Sequence, residues 1–338
     1  MLTQYTFFPE GLLDLPASRL GEVLPGPALI HLPGRRLPPL FVSVLLHGNE
    51  DTGWLAVQSV LKKHADTELP RALSLFIGNV DAARSGLRRL DGQPDYNRVW
   101  PGSEDAPTAE SAMMRQVVDA MRARGVFASI DIHNNTGLNP HYACVNSLEP
   151  HFLHLARLFS RIVVYFIRPR GVQSAAFAEW CPSVTVECGK PGNPDSVAHA
   201  AEFMEACLHL SEFPAHPVAP HDIDLFHTVA TVKVPEHVGF GFNAPEADIN
   251  FVPDLDHFNF RELDRGIHLG HVRQNSTARL LVVNEDGDDI GERMFDYQRG
   301  EIALRQRLMP AMLTRDERVI RQDCLCYLME RLKMPEAG

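Results

Sequence analysis

FVSVLLHGNEDTG, residues 41–53, is a short apolar run that ends in His47, Gly48, Asn49 and Glu50 and leads into helix-forming sequence. A buried strand, a polar turn and a helix in that order are the repeating unit of an α/β sheet. His and Glu three residues apart at such a turn reach one metal ion from a single loop. Alone, the same pair also reads as a strand end followed by a helix start, where Glu50 meets the favourable end of the helix dipole. DIHNNTG, residues 131–137, repeats the layout with His133 at a second strand end. Ligands gather at the strand ends of open α/β sheets, so two polar clusters at two such ends favour the metal reading. His47 and Glu50 are then the close pair and His133 the distant ligand. Two His and one carboxylate suit a catalytic zinc with an open position. Asp131 is placed to orient a ligand imidazole.

Working outward, strands are expected over 41–46, 73–78, 126–132, 162–167 and 183–188. They are rich in Val, Ile and Phe, and several look apolar on both faces. Helices are expected over 53–64, 110–123, 150–161 and 196–211. The alternation predicts an α/β domain with a largely parallel core, covering residues 1–215. Residues 1–40 are rich in Pro and Gly, with extended pieces around GPALIHLPG, and are expected to form an entry hairpin beside a larger sheet. FPAHPVAPHD, from 213 to 222, reads as a linker. Beyond it, over 216–338, TVATVKV, GIHLGHV and RLLVVNE predict a smaller β-rich domain. Periodicity leaves the segment 315–332 open between a helix and an extended arm.

The 338 residues carry 32 Lys and Arg against 43 Asp and Glu, a net charge of −11, which argues against a nucleic-acid partner. The six cysteines show no CxxC spacing, as expected of a reduced, cytoplasmic chain. FVSVLL and IVVYFI fall far short of the ~20 apolar residues needed to span a bilayer, and the N-terminal residues do not read as a signal peptide.

Two further stretches carry chemistry. GNVDAARSGLRRLDGQPDYNRVWPG, residues 78–102, is a long loop with several arginines. Guanidinium forks recognise carboxylates, so the loop suggests a locally held acidic substrate in an acidic protein; any single arginine there also reads as solvated surface. In SVTVECGKPG, residues 183–192, Glu187 ends a Val-rich strand just before a Gly-containing turn. A carboxylate there reads either as a general base at the mouth of the sheet or as a salt-bridged cap. HDIDLFH, 221–227, looks like a metal cluster but lies in the linker and is expected to be solvated. Cys324 and Cys326 read as packing residues.

HGNE, DYNRVWPG, DIHNNTG and VTVECGKPG together resemble, in order and spacing, the zinc carboxypeptidase-like superfamily. More closely they resemble its succinylglutamate desuccinylase/aspartoacylase family. The resemblance covers the first ~215 residues through these four motifs and reaches more weakly into the β-rich part. It implies a mixed, mostly parallel sheet flanked by helices. It implies His47, Glu50 and His133 as ligands of one Zn2+ per chain and Glu187 as the catalytic base. Asn97 and Arg98 are implied as binders of the substrate carboxylate. Arg88 best matches the arginine that polarises the scissile carbonyl, with Arg84 and Arg89 as alternatives. The expected activity is removal of an acyl group, succinyl or acetyl, from a small N-acyl amino acid, with no membrane partner; assembly into a homo-oligomer is left open. The competing readings are a zinc metallocarboxypeptidase acting on peptides and a non-catalytic binding protein on the same scaffold.

Overall fold

A computed structural model describes residues 1–333. It comprises two compact units, one formed by residues 1–134 and 141–225, the other by 135–140 and 226–333.

In the first unit the strands are β1 (Thr3–Tyr5), β2 (Ala28–Leu32), β3 (Leu40–Val44), β4 (Leu73–Ile77), β5 (Ala128–His133), β6 (Tyr142–Val145), β7 (Ile162–Tyr165) and β8 (Ser183–Glu187). The helices are α1 (Thr52–Lys63), α2 (Val80–Arg84), α3 (Ala109–Arg124), α4 (Pro150–Phe159), α5 (Gln173–Ala178) and α6 (Pro194–His209). The strands lie in the order β1-β2-β4-β3-β5-β8-β6-β7. All neighbours are parallel except β2 with β4 and β6 with β8. The mixed, mostly parallel α/β sheet is therefore present, and its central strands β3, β5 and β8 are the ones whose ends carry the three polar motifs.

Residues in register on neighbouring strands share a face, so the pairings sort the sheet into two surfaces. On one, Ile30, Leu75, Val42, Ile130 and Val184 form a row beside Ala28, Ile77, Val44, Ile132, Val186 and Ala143. Helix α1 closes onto this apolar surface: a Cβ at Gly53 would come within 2.9 Å of Val44 and 3.0 Å of Ile132. The opposite surface alternates Phe76, Ser43, Asp131, Thr185 and Cys144 with Ser74, Phe41, Ser129 and Ser183. The strands expected to be apolar on both faces are thus apolar on one. On the other, hydroxyls and a carboxylate interrupt the run, and each needs an internal partner because the face is buried. Helix α5 supplies several. Gln173 Nε2 donates to Ser129 Oγ at 2.6 Å, and Ser183 Oγ donates to the Ser174 carbonyl at 2.6 Å. Phe177 of the same helix stacks on Phe41 with centroids 4.5 Å apart.

The opening residues do not form a hairpin. β1 and β2 run parallel, and β2 adds antiparallel to β4. The sequence reading also missed β6, α2 and α5, all short.

The second unit contains all but the first two residues of β9 (Asp224–Lys233), together with β10 (Phe240–Phe242), β11 (Ile249–Phe251), β12 (His268–Val272), β13 (Leu281–Asn284), α7 (Gly291–Met294), β14 (Phe295–Asp296), β15 (Glu301–Leu304), β16 (Met309–Ala311), α8 (Glu317–Gln322) and β17 (Cys326–Arg331). β9 pairs with β13 and β17, and β17 with β16; β10-β11-β12-β15-β14 form a separate sheet. Val232, Ile249, Phe251, Phe295, Ile302 and Leu325 lie in its core. The segment 315–332 resolves into both alternatives, a short helix and then a strand. Within HDIDLFH, Asp224 begins β9, and His227 is partly buried with Nε2 2.8 Å from Glu285 Oε1; only His221 is as solvated as expected. Cys324 and Cys326 are both buried. Among the described residues no helix is long and apolar enough to cross a membrane.

Candidate active site

β3 ends at Val44, and Leu45, fully buried, takes φ +56°. A branched residue in the left-handed region is a strained conformation, held here by the surroundings. The Leu45 carbonyl accepts from Asn79 N at 2.6 Å, which fixes the bend. Gly48 then passes against α2. A Cβ there would lie 2.2 Å from Ala83 N and 2.3 Å from the Ala82 carbonyl carbon, so only glycine fits. The turn returns the chain, with Glu50 N bonded to the His47 carbonyl at 3.2 Å, and both side chains point the same way.

His47 Nδ1 lies 2.9 Å from Glu50 Oε1, and His133 Nδ1 lies 2.7 Å from Glu50 Oε2. One nitrogen from each ring therefore converges on one carboxylate, and a set of ligand atoms from the three residues lies within 4.8 Å of one another. All three side chains are buried. The far nitrogen of each ring faces a second carboxylate. His47 Nε2 is 3.0 Å from Asp95 Oδ1, and His133 Nε2 is 2.7 Å from Asp131 Oδ2. With Nε2–H donating to Asp95 and Asp131, the Nδ1 lone pairs are left for a cation. Ser43 Oγ donates to Asp131 at 2.5 Å, tying that carboxylate to the next strand.

Electrostatics follow the geometry. Burial pushes the Glu50 carboxyl up, but the two imidazoles outweigh it and hold the group well below the carboxylate range. Burial pushes His133 down, and Asp131 with Glu50 overcomes it, raising the imidazole well above its ordinary value. For His47, burial and Arg88 act downward, and Glu50 with Asp95 raises it on balance. Burial raises Asp95, and Arg88, His47 and Arg98 together bring it well below its usual range. A cation entering this set competes with protons for the same ring nitrogens.

Among the three candidate arginines, Arg88 turns to the cluster. Its Nε and Nη2 lie 3.2 and 2.9 Å from Asp95 Oδ2, and its Nη1 is 3.6 Å from Glu50 Oε1. Arg89 donates to the Gln93 carbonyl, and Arg84 packs against Gly21. Arg98 donates from Nη1 to the Asn97 carbonyl. The Asn97 side chain is buried behind His133. Its Nδ2 lies 3.1 Å from His133 Nε2 and 3.3 Å from Asp131 Oδ2, while its Oδ1 accepts from Gln173 N at 2.8 Å. Glu187 ends β8 in register with His133 and is buried. Arg168 and Arg170 pair with Glu104, at 2.7 and 3.0 Å. The sequence reading quoted Asp95 inside DYNR without assigning it a role. It also passed over Ser43 and Gln173, because their partners lie far away in sequence.

A family model, the succinylglutamate desuccinylase/aspartoacylase catalytic domain, matches residues 37–211. No curated protein matches the chain in sequence. Among solved structures, the succinylglutamate desuccinylase from Chromobacterium violaceum superposes with a TM-score of 0.56 at 16% identity, covering 90% of this chain and 87% of that one. Murine aminoacylase 3 gives a TM-score of 0.56 at 14% identity, covering 89% and 98%. The ectoine utilization protein EutE (DoeB) from Ruegeria pomeroyi gives 0.53 at 14%, covering 90% and 88%. The structural likenesses show the shared fold, and the family match spans more than half of the sequence. This chain belongs to the succinylglutamate desuccinylase/aspartoacylase family, hydrolases of linear amide C–N bonds.

Proposed function

We propose that the protein is a zinc-dependent deacylase that hydrolyses the amide of a small N-acyl amino acid, releasing a succinyl- or acetyl-type acid and the free amino acid. The observation that carries the reading is the convergence of His47 Nδ1 and His133 Nδ1 on the Glu50 carboxylate, with Glu187 in register beside His133. Two imidazoles and one carboxylate are a donor set that suits zinc and leaves a coordination position open. Zinc held by His47, Glu50 and His133, about one per chain, supplies Lewis acidity, polarising an amide carbonyl and acidifying water near neutral pH. Glu187 takes the proton of the attacking water as the new C–O bond forms. It then delivers that proton to the amide nitrogen as the C–N bond breaks. The Arg88 guanidinium faces the charge that develops on the carbonyl oxygen, a role worth about 3–4 kcal/mol for one such donor. Arg98 holds the substrate carboxylate as a fork. Asn97, with its amide donating to Asp131 and accepting from the Gln173 backbone, steadies the same segment beside it.

The test is metal analysis of freshly purified protein together with a hydrolysis panel of N-succinyl amino acids, N-acetyl amino acids and peptides. The expected result is about one zinc per chain and release of free amino acid from an N-acyl substrate. Protein without metal, or one that trims peptides and leaves N-acyl amino acids intact, overturns the reading.

A further inference from the structure

We propose that Tyr142 is a positioning residue for Glu187, its phenol holding the carboxylate in the orientation that proton transfer needs. The proposal rests on the assignment of Glu187 as the base. β8 runs between β5 and β6, and its last residue is in register with His133 on one side and Tyr142 on the other. The three side chains therefore form one row across the polar face, at the end of the sheet where the metal ligands lie. Directly opposed residues on antiparallel strands have Cβ atoms about 4.5–5.5 Å apart, well within reach of an aromatic side chain. Tyr142 is only 3% exposed, and a buried phenol hydroxyl calls for a hydrogen-bonding neighbour.

The other flank of Glu187 is already committed. Both ring nitrogens of His133 face carboxylates, Glu50 at 2.7 Å and Asp131 at 2.7 Å. The backbone around Glu187 is pinned as well. Cys188 N donates to the His133 carbonyl at 2.9 Å, and Asn134 Nδ2 donates to the Gly189 carbonyl at 2.9 Å. His141, which precedes Tyr142, lies 3.0 Å from Ser196 Oγ and bonds to the Cys188 backbone. With the main chain held, the orientation of the base is set by what its side chain meets. Within the row, Tyr142 stands on the flank of Glu187 away from His133.

The discriminating variant is Tyr142→Phe, which keeps the ring and its packing and removes the hydroxyl. The expected result is a fall in kcat of about ten- to a hundredfold, as for a misaligned catalytic group. KM, zinc content and Tm stay at wild-type values, whereas a merely structural role would move Tm. A kcat within twofold of wild type overturns the proposal, and so does a loss that tracks lost zinc or a raised KM. Glu187→Gln is assayed in parallel. If that variant turns over normally, the base assignment itself is wrong. If it is inactive while Tyr142→Phe is normal, only the role of Tyr142 is withdrawn.

Discussion

The two faces of the first unit's sheet are built from the same strands and do opposite work. Across β2, β4, β3, β5 and β8, one carries only Ala, Val, Leu and Ile in its registered rows and packs against α1. The other places Ser43, Ser129, Asp131, Thr185 and Glu187 among aromatic rings. An apolar face is stabilised by area alone and tolerates a change of shape at modest cost. A buried polar face is stable only when its donors and acceptors match, so each residue on it is constrained by direction as well as by volume. That constraint is what a catalytic site needs, because it fixes imidazoles and carboxylates before substrate arrives. The difference implies that substitutions on one face change chemistry and on the other change stability.

The largest effect is expected at the top row of the polar face. Glu187→Gln should keep the fold and the metal and lower kcat by about 10²–10⁴-fold, measured by steady-state kinetics beside a metal assay. Near-normal turnover would break the comparison at its strongest point. One row below, Asp131→Asn removes the charge behind His133 while preserving shape. Metal affinity should fall about 10–100-fold, read by competition with a chelator, with secondary structure unchanged. An unchanged affinity would mean that the strand alone, without its carboxylate, orients the imidazole.

Much of this contrast was visible in the sequence as small polar residues inside apolar runs: Ser43 in FVSV, Asp131 in SIDIH and Thr185 in SVTVE. Such a run announces a buried strand, and its motif end announces the candidate metal ligands, because both signals are local. The partners were not legible in the same way. Asp95 reaches His47 across 48 positions and Asp131 bonds Ser43 across 88, and no local pattern encodes those meetings. Tyr142 was passed over because YACV is too short for periodicity and follows a stretch rich in Gly, Asn and Pro. The extended piece around GPALIHLPG is there as β2, but the entry hairpin expected over residues 1–40 failed for a related reason. β2 finds its partner in β4, and the turn residues beside it cannot say which strand it will join.

On the apolar face, Ile130→Val removes one methylene from a fully buried row. It should cost about 0.5–1.5 kcal/mol of stability by denaturant unfolding and leave kcat unchanged. A change in kcat would show that packing on this side reaches the site, and the division of labour would fail.

The smallest effect near neutral pH is expected from His31, on the polar face but at the sheet's far side. Its Nδ1 lies 2.9 Å from Ser74 Oγ, and its buried Nε2 has no hydrogen-bond partner among the described residues. Burial first, and the charge of Arg124 second, push the imidazole down to about 4. His47 and His133 are more deeply buried than His31 but face carboxylates, and their shift runs upward. The neutral ring of His31 is therefore the form that folding favours. Its contribution is complete above the ordinary imidazole value of about 6.5 and is lost progressively as pH falls from there toward 4. His31→Gln should accordingly lose less stability than wild type over that interval, while the two curves run parallel above pH 7. Parallel curves throughout would show that this ring accepts a proton in the folded chain as readily as in the unfolded one. The polar face would then tolerate an unmatched charge, contrary to the constraint argued for it.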